Sequence, residues 1–408
     1  MPSCGRSVPA PSSRARSSAK VMANTSLPSP YFREEHEALR TQLRRFVETE
    51  IKPHGAKWEE QGFVPREVLR RMGELGFLGI RYPADYGGSE MDTLGSVVLA
   101  EELGRSTFGG TAITVLVHTD MASVHIAHAG SAEQKAKWMP DIVAGKAICA
   151  VAVTEPDAGS DVKGIRTTAR RDGDHYVLNG AKMFITNGIH ADLYCVAAKT
   201  SAEARPSQSV SMFLIEKGTP GFRVSRALDK HGWRSSDTAE LVFENCRVPA
   251  TSLLGGEGQG FYAIMRNFQN ERTVIGAMAM GEAQAALDLT LDYVTTRKAF
   301  GAPLFDKQAI RQRLSMLAAK VEAGRQLVYY AAFLDAQGVD CTREVSMAKA
   351  YCGELVNEVM YDCLQFHGGM GFMRESTIER MARDARVQAI GGGATEVMLE
   401  EVAKRLTR

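Results

Sequence analysis

The stretch from Ala150 to Gly188 carries side chains whose types and spacing suggest chemistry. A short apolar run ends at Thr154 and leads into a loop of turn-forming residues that contains Ser160. A second segment ends the stretch and places Phe184 two residues before Thr186. Neighbouring strands would deliver these two hydroxyl-bearing loops together. Two such loops suit a flat ring with polar edges whose face packs against the aromatic side chain of Phe184. A flavin is the obvious candidate.

Two further features of this stretch are the possible roles of Phe184 and the turns that its glycines predict. On its own, Phe184 is more typical of a core residue in a strand, but the neighbouring Thr186 and Thr154 loop favour the cofactor contact. The dipeptides Asp172-Gly173 and Asn179-Gly180 each predict a hairpin with a type I′ turn.

Two longer motifs resemble the signatures of the acyl-CoA dehydrogenase family, in the order in which that family carries them. The first is Ala152-Val153-Thr154-Glu155 with Ala158-Gly159-Ser160-Asp161, and the second is Gln365-x-x-Gly368-Gly369-x-Gly371-Phe372. The resemblance runs from about Tyr31 to the C-terminus. It implies an α+β fold with an N-terminal α-helical domain (31–149), a middle β-barrel or sandwich domain (150–257) and a C-terminal four-helix-bundle domain (258–408).

The resemblance also implies FAD as cofactor. The residues that it places against FAD are Val153, Thr154, Ser160, Phe184, Thr186, Arg297, Phe300, Gln308, Gln365, Gly368, Gly369, Thr395 and Glu396. Arg297 and Gln308 match a segment that reaches the pyrophosphate and adenosine from a neighbouring subunit, and an arginine fork suits a diphosphate. The alternative for Arg297 is a cation that stabilises a helix C-terminus. A shared FAD implies an obligate homo-oligomer, usually a tetramer in this family.

The expected base departs from the commoner family pattern. Removal of a proton next to a thioester carbonyl needs a base, and a desolvated carboxylate is well suited. Many relatives carry a glutamate where this chain has Gly392, whereas isovaleryl and long-chain types carry it on an earlier helix, at the position of Glu271. We therefore expect Glu271 to be the base. Arg272, Gly392 and Ser160 are expected on the substrate side, although a solvated glutamate in a first helical turn is the alternative for Glu271.

Two classes of function are compatible with these motifs. The first is a dehydrogenase of fatty-acid β-oxidation, which converts an acyl-CoA to the trans-2-enoyl-CoA and passes electrons to an electron-transfer flavoprotein. The second is a reused scaffold, either an oxidase or monooxygenase-like homologue or an acyl-CoA-binding protein without turnover, because a fold does not determine its chemistry. The segment 276–281 suits a long or a branched acyl chain equally well.

Composition narrows the remaining possibilities. The 408 residues carry a net charge of +1, and 44% are hydrophobic, as in a soluble protein of several domains. This charge gives no reason to expect nucleic acid as a partner, and no apolar run is long enough to span a membrane. Seven cysteines without a CxxC pair suggest a reducing compartment, and the histidines form no metal-ligand cluster. P-loop, GxSxG and Rossmann GxGxxG motifs are absent.

Residues 1–30 differ from the rest of the chain. They are rich in Ser, Pro and Ala, contain basic but no acidic residues, and predict a disordered tail. An organellar transit peptide and an upstream start, with Met22 as the natural beginning, fit the same composition. The protein is expected in the cytoplasm if bacterial and in the mitochondrial matrix if eukaryotic.

Periodicity predicts the elements that carry these residues. Amphipathic helices are expected at 34–50, 66–75, 94–103 and 133–143, the last opened by a Ser131–Gln134 capping box. Short strands are expected at 193–198, 210–216, 222–226 and 239–243. Long apolar stripes after residue 258 predict a helical bundle.

Overall fold

The computed structural model describes residues 29–202 and 204–406, so the predicted tail lies almost wholly outside the described residues. Helices come first, a sheet follows, and long helices complete the chain. This is the order that the sequence predicts for an α+β protein. Within the described ranges, no helix is long and apolar enough to cross a membrane.

The N-terminal helices agree with the predicted ones and add others. They are α1 (Glu34–Phe46), α2 (Gly55–Gln61), α3 (Arg66–Glu74), α4 (Thr93–Gly104), α5 (Gly109–Leu116), α6 (Ser123–Ala129) and α7 (Ala132–Val143). The capping box is confirmed, because the Ser131 hydroxyl accepts from Gln134 N at 3.2 Å while the Gln134 side chain accepts from Ser131 N at 2.8 Å. A π-helix, Val117–Ala122, joins α5 to α6 and has no counterpart in the prediction.

The middle of the chain forms one sheet. Its strands are β1 (Cys149–Ala152), β2 (Thr168–Asp172), β3 (His175–Thr186), β4 (Leu193–Lys199), β5 (Val210–Glu216), β6 (Phe222–Ala227), β7 (Thr238–Pro249) and β8 (Leu253–Leu254). The spatial order is β6-β7-β3-β2-β4-β5-β8, with β1 parallel to β4. Strands β4 and β5 are buried along nearly their whole length, which explains their unbroken apolar sequences.

One of the two predicted hairpins is confirmed and the other is wrong. Strands β2 and β3 pair around Gly173, which has a φ of +63°. Asn179-Gly180 instead lies inside β3 and marks a β-bulge against β7. A Cβ on Gly180 would lie 2.4 Å from Thr167 Oγ1, so glycine is needed here for close backbone approach and not for a turn.

The C-terminal helices form the predicted bundle. They are α8 (Gly260–Thr296), α9 (Gln308–Ala336), α10 (Thr342–His367), α11 (Thr377–Ala385) and α12 (Thr395–Ala403). Helix α8 packs against α9 and α10, and α10 packs against α12. A small hairpin of β9 (Lys298–Ala299) and β10 (Ala302–Pro303) connects α8 to α9.

Helix α4 crosses α8 at two glycines. A Cβ on Gly281 would lie 2.1 Å from Glu101 O, and a Cβ on Gly104 would lie 2.3 Å from Met278 O. The two backbones therefore touch directly, and any side chain at either position would force the helices apart. This contact fixes the N-terminal domain against the helix that carries Glu271.

A buried ionic network reinforces the same junction. The Glu101 carboxylate accepts hydrogen bonds from Arg40 Nη1 and Arg325 Nε, both at 2.8 Å, and from the Tyr329 hydroxyl at 2.6 Å. Burial alone would raise the pKa of Glu101, but the two guanidinium groups lower it to about 2. The charge on Glu101 therefore joins α1, α4 and α9.

Replacement of Glu101 by Ala should destabilise the protein strongly. Two largely buried cations would lose the buried carboxylate that they share. Arg40 would keep only its longer contacts with Glu37 and Glu102. Arg325 would keep only the exposed Glu322 as an ion-pair partner among the described residues. We expect the free energy of unfolding to fall by about 3–5 kcal/mol in urea denaturation at pH 7. The control is Glu74→Ala, which removes an exposed pair with Arg71 and should change stability by less than about 1 kcal/mol. Because the folded-state pKa of Glu101 is depressed, its stabilisation should be lost as pH falls from 4.5 towards 2. Equal effects of the two substitutions would contradict this assignment.

Candidate active site

The Thr154 loop is tied to β3 by a buried ion pair. Lys182 Nζ donates to Glu155 Oε1 at 2.7 Å and to Val153 O at 3.0 Å, and Met183 N donates to Thr154 O at 2.9 Å. Burial lowers the pKa of Lys182 to about 8, and the Glu155 carboxylate opposes this shift. The structure thus brings the Thr154 loop beside the Phe184 segment, as the sequence predicts. Ser160 lies further along the same loop and is exposed.

Phe184 has an unusual conformation. Its φ is +61°, at an irregularity in the pairing of β3 with β7, and its side chain is 67% exposed. The interpretation of Phe184 as a core residue is therefore wrong. A bulky residue in the left-handed region is strained, and such strain is concentrated at functional sites.

Asn187, which directly follows Thr186, anchors this segment to two neighbouring elements. The buried Asn187 side chain donates to Thr114 O at 3.0 Å and to Cys149 O at 3.2 Å. These acceptors belong to α5 and β1, so the loop that carries Thr186 is fixed to both the N-terminal domain and the sheet.

Glu271 lies about three turns inside α8 and is only 8% exposed. The alternative of a solvated glutamate in a first helical turn is therefore wrong. Glu271 Oε1 accepts a hydrogen bond from Asn267 Nδ2 at 2.9 Å, and in the described part of the chain Glu271 has no ion-pair partner within 4.0 Å. Burial raises the pKa of Glu271 to about 7, although the Asn267 hydrogen bond and the Arg272 charge both act to lower it.

Arg272 faces the loop of three glycines, Gly391 to Gly393, that precedes α12; this loop is called the glycine loop below. Its guanidinium group lies 5.3 Å from the centre of the Phe268 ring, and its buried Nε has no hydrogen-bond partner among the described residues. A Cβ on Gly393 would lie 3.5 Å from that Nε. An unpaired N–H of a buried guanidinium is a free donor in this region.

Gly392 lies on the loop before α12 and faces Ile275, which is one helical turn along α8 from Glu271. It has a φ of +65°, and a Cβ placed on it would lie 2.3 Å from Ile275 Cδ1. The structure therefore brings Glu271, Arg272 and Gly392 together, as the family resemblance implies.

Lys349 supports this loop and is a residue that sequence reasoning missed. The buried Lys349 Nζ donates to Gln388 O at 2.6 Å and to Gly393 O at 2.7 Å, so it joins both ends of the loop to α10. Burial and the nearby Arg272 charge lower its pKa to about 8. The available signal was a lysine within an otherwise apolar and small-residue stretch of α10.

A second group of predicted residues lies at the opposite end of α8. Arg297, Phe300, Gln308, Gln365, Gly368 and Gly369 are all exposed. Phe300 at the tip of the β9–β10 hairpin is 97% exposed, and no atom lies within 4 Å of a Cβ built on Gly368 or Gly369. Tyr293 stacks on His367 at 4.4 Å, which brings the end of α8 beside the end of α10.

The two groups are separated by more than half the length of α8. Glu271 and Arg297 stand on one continuous helix and its C-cap, which at 1.5 Å per residue separates them by roughly 39 Å. Thr395 and Glu396 open α12 near the glycine loop, where the Thr395 hydroxyl donates to Glu354 Oε1 at 2.7 Å.

Comparison with known protein families assigns the chain to one of them. Three consecutive profiles match it: "Acyl-CoA dehydrogenase, N-terminal domain" over residues 33–146, "Acyl-CoA dehydrogenase, middle domain" over 150–246 and "Acyl-CoA dehydrogenase, C-terminal domain" over 258–407. The chain belongs to the acyl-CoA dehydrogenase family of oxidoreductases.

Individual relatives agree with this assignment. The mitochondrial long-chain specific acyl-CoA dehydrogenase of Mus musculus is 41% identical over 92% of this chain and 87% of its own length. The crystal structure of an acyl-CoA dehydrogenase from Geobacillus kaustophilus is 42% identical, with a TM-score of 0.90 over 93% of this chain and 100% of its own. A glutaryl-CoA dehydrogenase from Mycobacterium smegmatis, solved in complex with FADH2, is 31% identical, with a TM-score of 0.87 over 92% of this chain and 95% of its own.

Substitution of Phe184 by Gly should stabilise the protein when no ligand is bound. Glycine relieves the positive φ and loses little burial, so we expect the free energy of unfolding to rise by about 1 kcal/mol in urea denaturation. Phe184→Leu is the control, because leucine keeps the strained backbone and should give no gain. A Gly variant no more stable than the Leu variant would show that residue 184 is not strained.

Proposed function

We propose that the protein is an FAD-dependent acyl-CoA dehydrogenase that converts an acyl-CoA to the trans-2-enoyl-CoA, with Glu271 as the base. The observation that carries this proposal is the buried Glu271 carboxylate, which has no ion-pair partner among the described residues and lies near the Gly392 loop and the Arg272 Nε, itself without a hydrogen-bond partner there. A carboxylate whose pKa lies near 7 accepts a proton well at neutral pH.

The residues around Phe184 fit a flavin. The aromatic ring stands exposed at a strained backbone position, which is costly unless a ligand covers it. The Thr154 loop is bonded to the strand residue just before Phe184, and Thr186 follows two residues after it, so both hydroxyl-bearing segments lie close to this position. When bound there, FAD supplies the hydride acceptor of the reaction.

The side chains of the chain itself handle the proton and the thioester. Glu271 takes the proton from the carbon next to the thioester carbonyl, and its burial strengthens the base once substrate excludes water. The Gly392 N–H, on a loop held by Lys349, polarises the carbonyl. Arg272 lies beside Glu271, contributes positive charge that favours the enolate-like transition state and positions the substrate.

The cofactor site is proposed to be shared between subunits. Arg297 lies roughly 39 Å along α8 from Glu271, and Phe300 lies on the hairpin that follows, so both serve a flavin bound by another copy of the chain. Exposure of nearly the whole Phe300 ring supports this arrangement, because an aromatic side chain at a hairpin tip is stabilised when a partner covers it. The resemblance points to a tetramer and to an electron-transfer flavoprotein as electron acceptor.

Replacement of Glu271 by Gln should abolish turnover. Glutamine keeps the shape of the side chain but cannot take the proton, so flavin reduction by acyl-CoA should slow by more than the roughly 10²–10⁴-fold of ordinary acid–base catalysis. FAD content and acyl-CoA binding should be unchanged. Anaerobic stopped-flow bleaching of the flavin measures the rate, and slow return of colour in air would distinguish a dehydrogenase from an oxidase. Near-normal bleaching would exclude Glu271 as the base.

A carboxylate introduced at position 392 tests whether side chains at positions 271 and 392 can remove the same proton from the substrate. In the Glu271→Gln background we expect Gly392→Glu to restore part of the rate when Ile275→Val removes the methyl group that lies 2.3 Å from the new Cβ. Recovery should be incomplete because the φ of +65° is unfavourable for glutamate. The matched control is Gly392→Gln with Ile275→Val, which should stay inactive.

Replacement of Arg297 by Ala should lower FAD retention without harming the Glu271 site. A diphosphate loses a bidentate donor, and we expect the dissociation constant for FAD to rise by about ten-fold or more in equilibrium titration. Arg311→Ala is the control, because Arg311 lies in the first turn of α9, after the same hairpin, but donates to Phe305 O and Asp306 O of its own chain. An unchanged dissociation constant in Arg297→Ala would exclude Arg297 from the cofactor site.

A further inference from the structure

We propose that Asn267 is a positioning residue that fixes the carboxylate of Glu271 for proton abstraction; the inference rests on the proposed function. Asn267 stands one helical turn before Glu271 on α8 and donates from Nδ2 to Glu271 Oε1 at 2.9 Å. In the part of the chain that the structure describes, this is the one side-chain hydrogen bond to the Glu271 carboxylate.

The same amide group is anchored to backbone of the neighbouring domain. Asn267 Nδ2 lies 3.1 Å from Met121 O and 3.3 Å from Asp120 O, and both carbonyl groups belong to the π-helix Val117–Ala122. A primary amide has two N–H groups, so one serves this backbone while the other serves Glu271. The π-helix therefore determines, through Asn267, where the carboxylate lies.

The segment that supplies these carbonyl groups is π-helical. Its wider i→i+5 pattern departs from the regular helical hydrogen bonding on either side, and such segments are frequent at functional sites. Asn270, one turn further along α8, also donates to Asp120 O, at 2.8 Å. Asn270 holds the same π-helix but has no hydrogen bond to Glu271, which makes it a matched comparison.

Charged groups surround this arrangement on several elements. Asp120 accepts from the Ser96 and Thr119 hydroxyl groups at 2.7 and 2.6 Å, so its carboxylate is already satisfied. The other charged groups near Glu271 or its neighbours are Arg272 on α8, Arg81 bonded to Asn270, Lys349 on α10, Glu401 on α12 and Arg405 after it. None of these groups replaces the Asn267 hydrogen bond to Glu271.

Loss of the Asn267 hydrogen bond should shift the pKa of Glu271 in a direction that can be measured. Burial raises the pKa of Glu271 to about 7, and the Asn267 hydrogen bond opposes that rise. Without the bond the carboxylate holds its proton to higher pH. Because a base acts only when it is ionised, activity is lost below this pKa, and the acid limb of the pH–rate profile moves upwards.

The experiment compares Asn267→Ala with Asn270→Ala in the FAD-loaded protein. For each variant the rate of flavin reduction by acyl-CoA is measured from pH 5.5 to 9.5, together with FAD content and melting temperature. We expect the acid limb in Asn267→Ala to move up by about one to two pH units, with a loss of about ten-fold at pH 7 that recovers at high pH. The acid limb of Asn270→Ala should stay in place. If Asn267→Ala does not fold, Asn267→Leu, which has a similar volume, serves as the second variant.

Several results would overturn the inference. An unmoved acid limb in Asn267→Ala, or an equal displacement in both asparagine variants, would show that Asn267 only holds the two segments together. Glu271→Gln separates this failure from that of the proposed function. If Glu271→Gln is inactive while Asn267→Ala behaves as the wild type, only the role of Asn267 is refuted, whereas an active Glu271→Gln refutes the base itself.

Discussion

Helices α4 and α8 touch backbone to backbone because Gly104 and Gly281 lack side chains, and the rest of the structure depends on this contact. It brings the N-terminal domain against the helix that carries Glu271. It also places Glu101 where cations from α1 and α9 can reach it. The π-helix of the same domain then lies close enough to α8 for Asn267 and Asn270 to bond its carbonyl groups.

Two glutamates close to this junction show how environment determines chemistry. Glu101 and Glu271 are both buried, yet the pKa of Glu101 is lowered to about 2 while that of Glu271 is raised to about 7. The difference lies in their partners, because two guanidinium groups bind Glu101 whereas one neutral amide binds Glu271. Asp384 is also buried and its pKa is also raised to about 7, but it accepts from the backbone N–H groups of Gly109 and Trp233. A raised pKa therefore marks a base only where a substrate can reach it.

The sequence was sufficient for features that depend on local pattern. The α+β order, the Ser131 cap and strands β4 and β5 follow from side-chain periodicity and turn chemistry. It was misleading at Asn179-Gly180, because the same dipeptide serves a bulge when another backbone approaches closely. The expected helical domain included the region around the π-helix, but α5 and α6 were not predicted individually, since this segment is largely buried and lacks an amphipathic stripe.

The residues of the candidate site also divide into those that the sequence predicted and those that it did not. Glu271, Arg272 and Gly392 were named through the family resemblance, and their proximity depends on tertiary packing that no local pattern encodes. Lys349 and Asn267 were missed because the backbone carbonyl groups that anchor each of them are distant in sequence. The apolar surroundings of Lys349 in α10 were a signal that its partner is buried, but they did not identify that partner.

The contact between Gly392 and Ile275 has a consequence for the history of this site. Ile275 Cδ1 occupies space that a side chain at position 392 would need, and the backbone there has a conformation that favours glycine. A glutamate at position 392 therefore requires a second change, at residue 275, before its side chain fits. No single substitution exchanges a carboxylate on the helix for one on this loop. The proposed position of the base is in this sense an inherited character, since packing opposes its transfer to the loop.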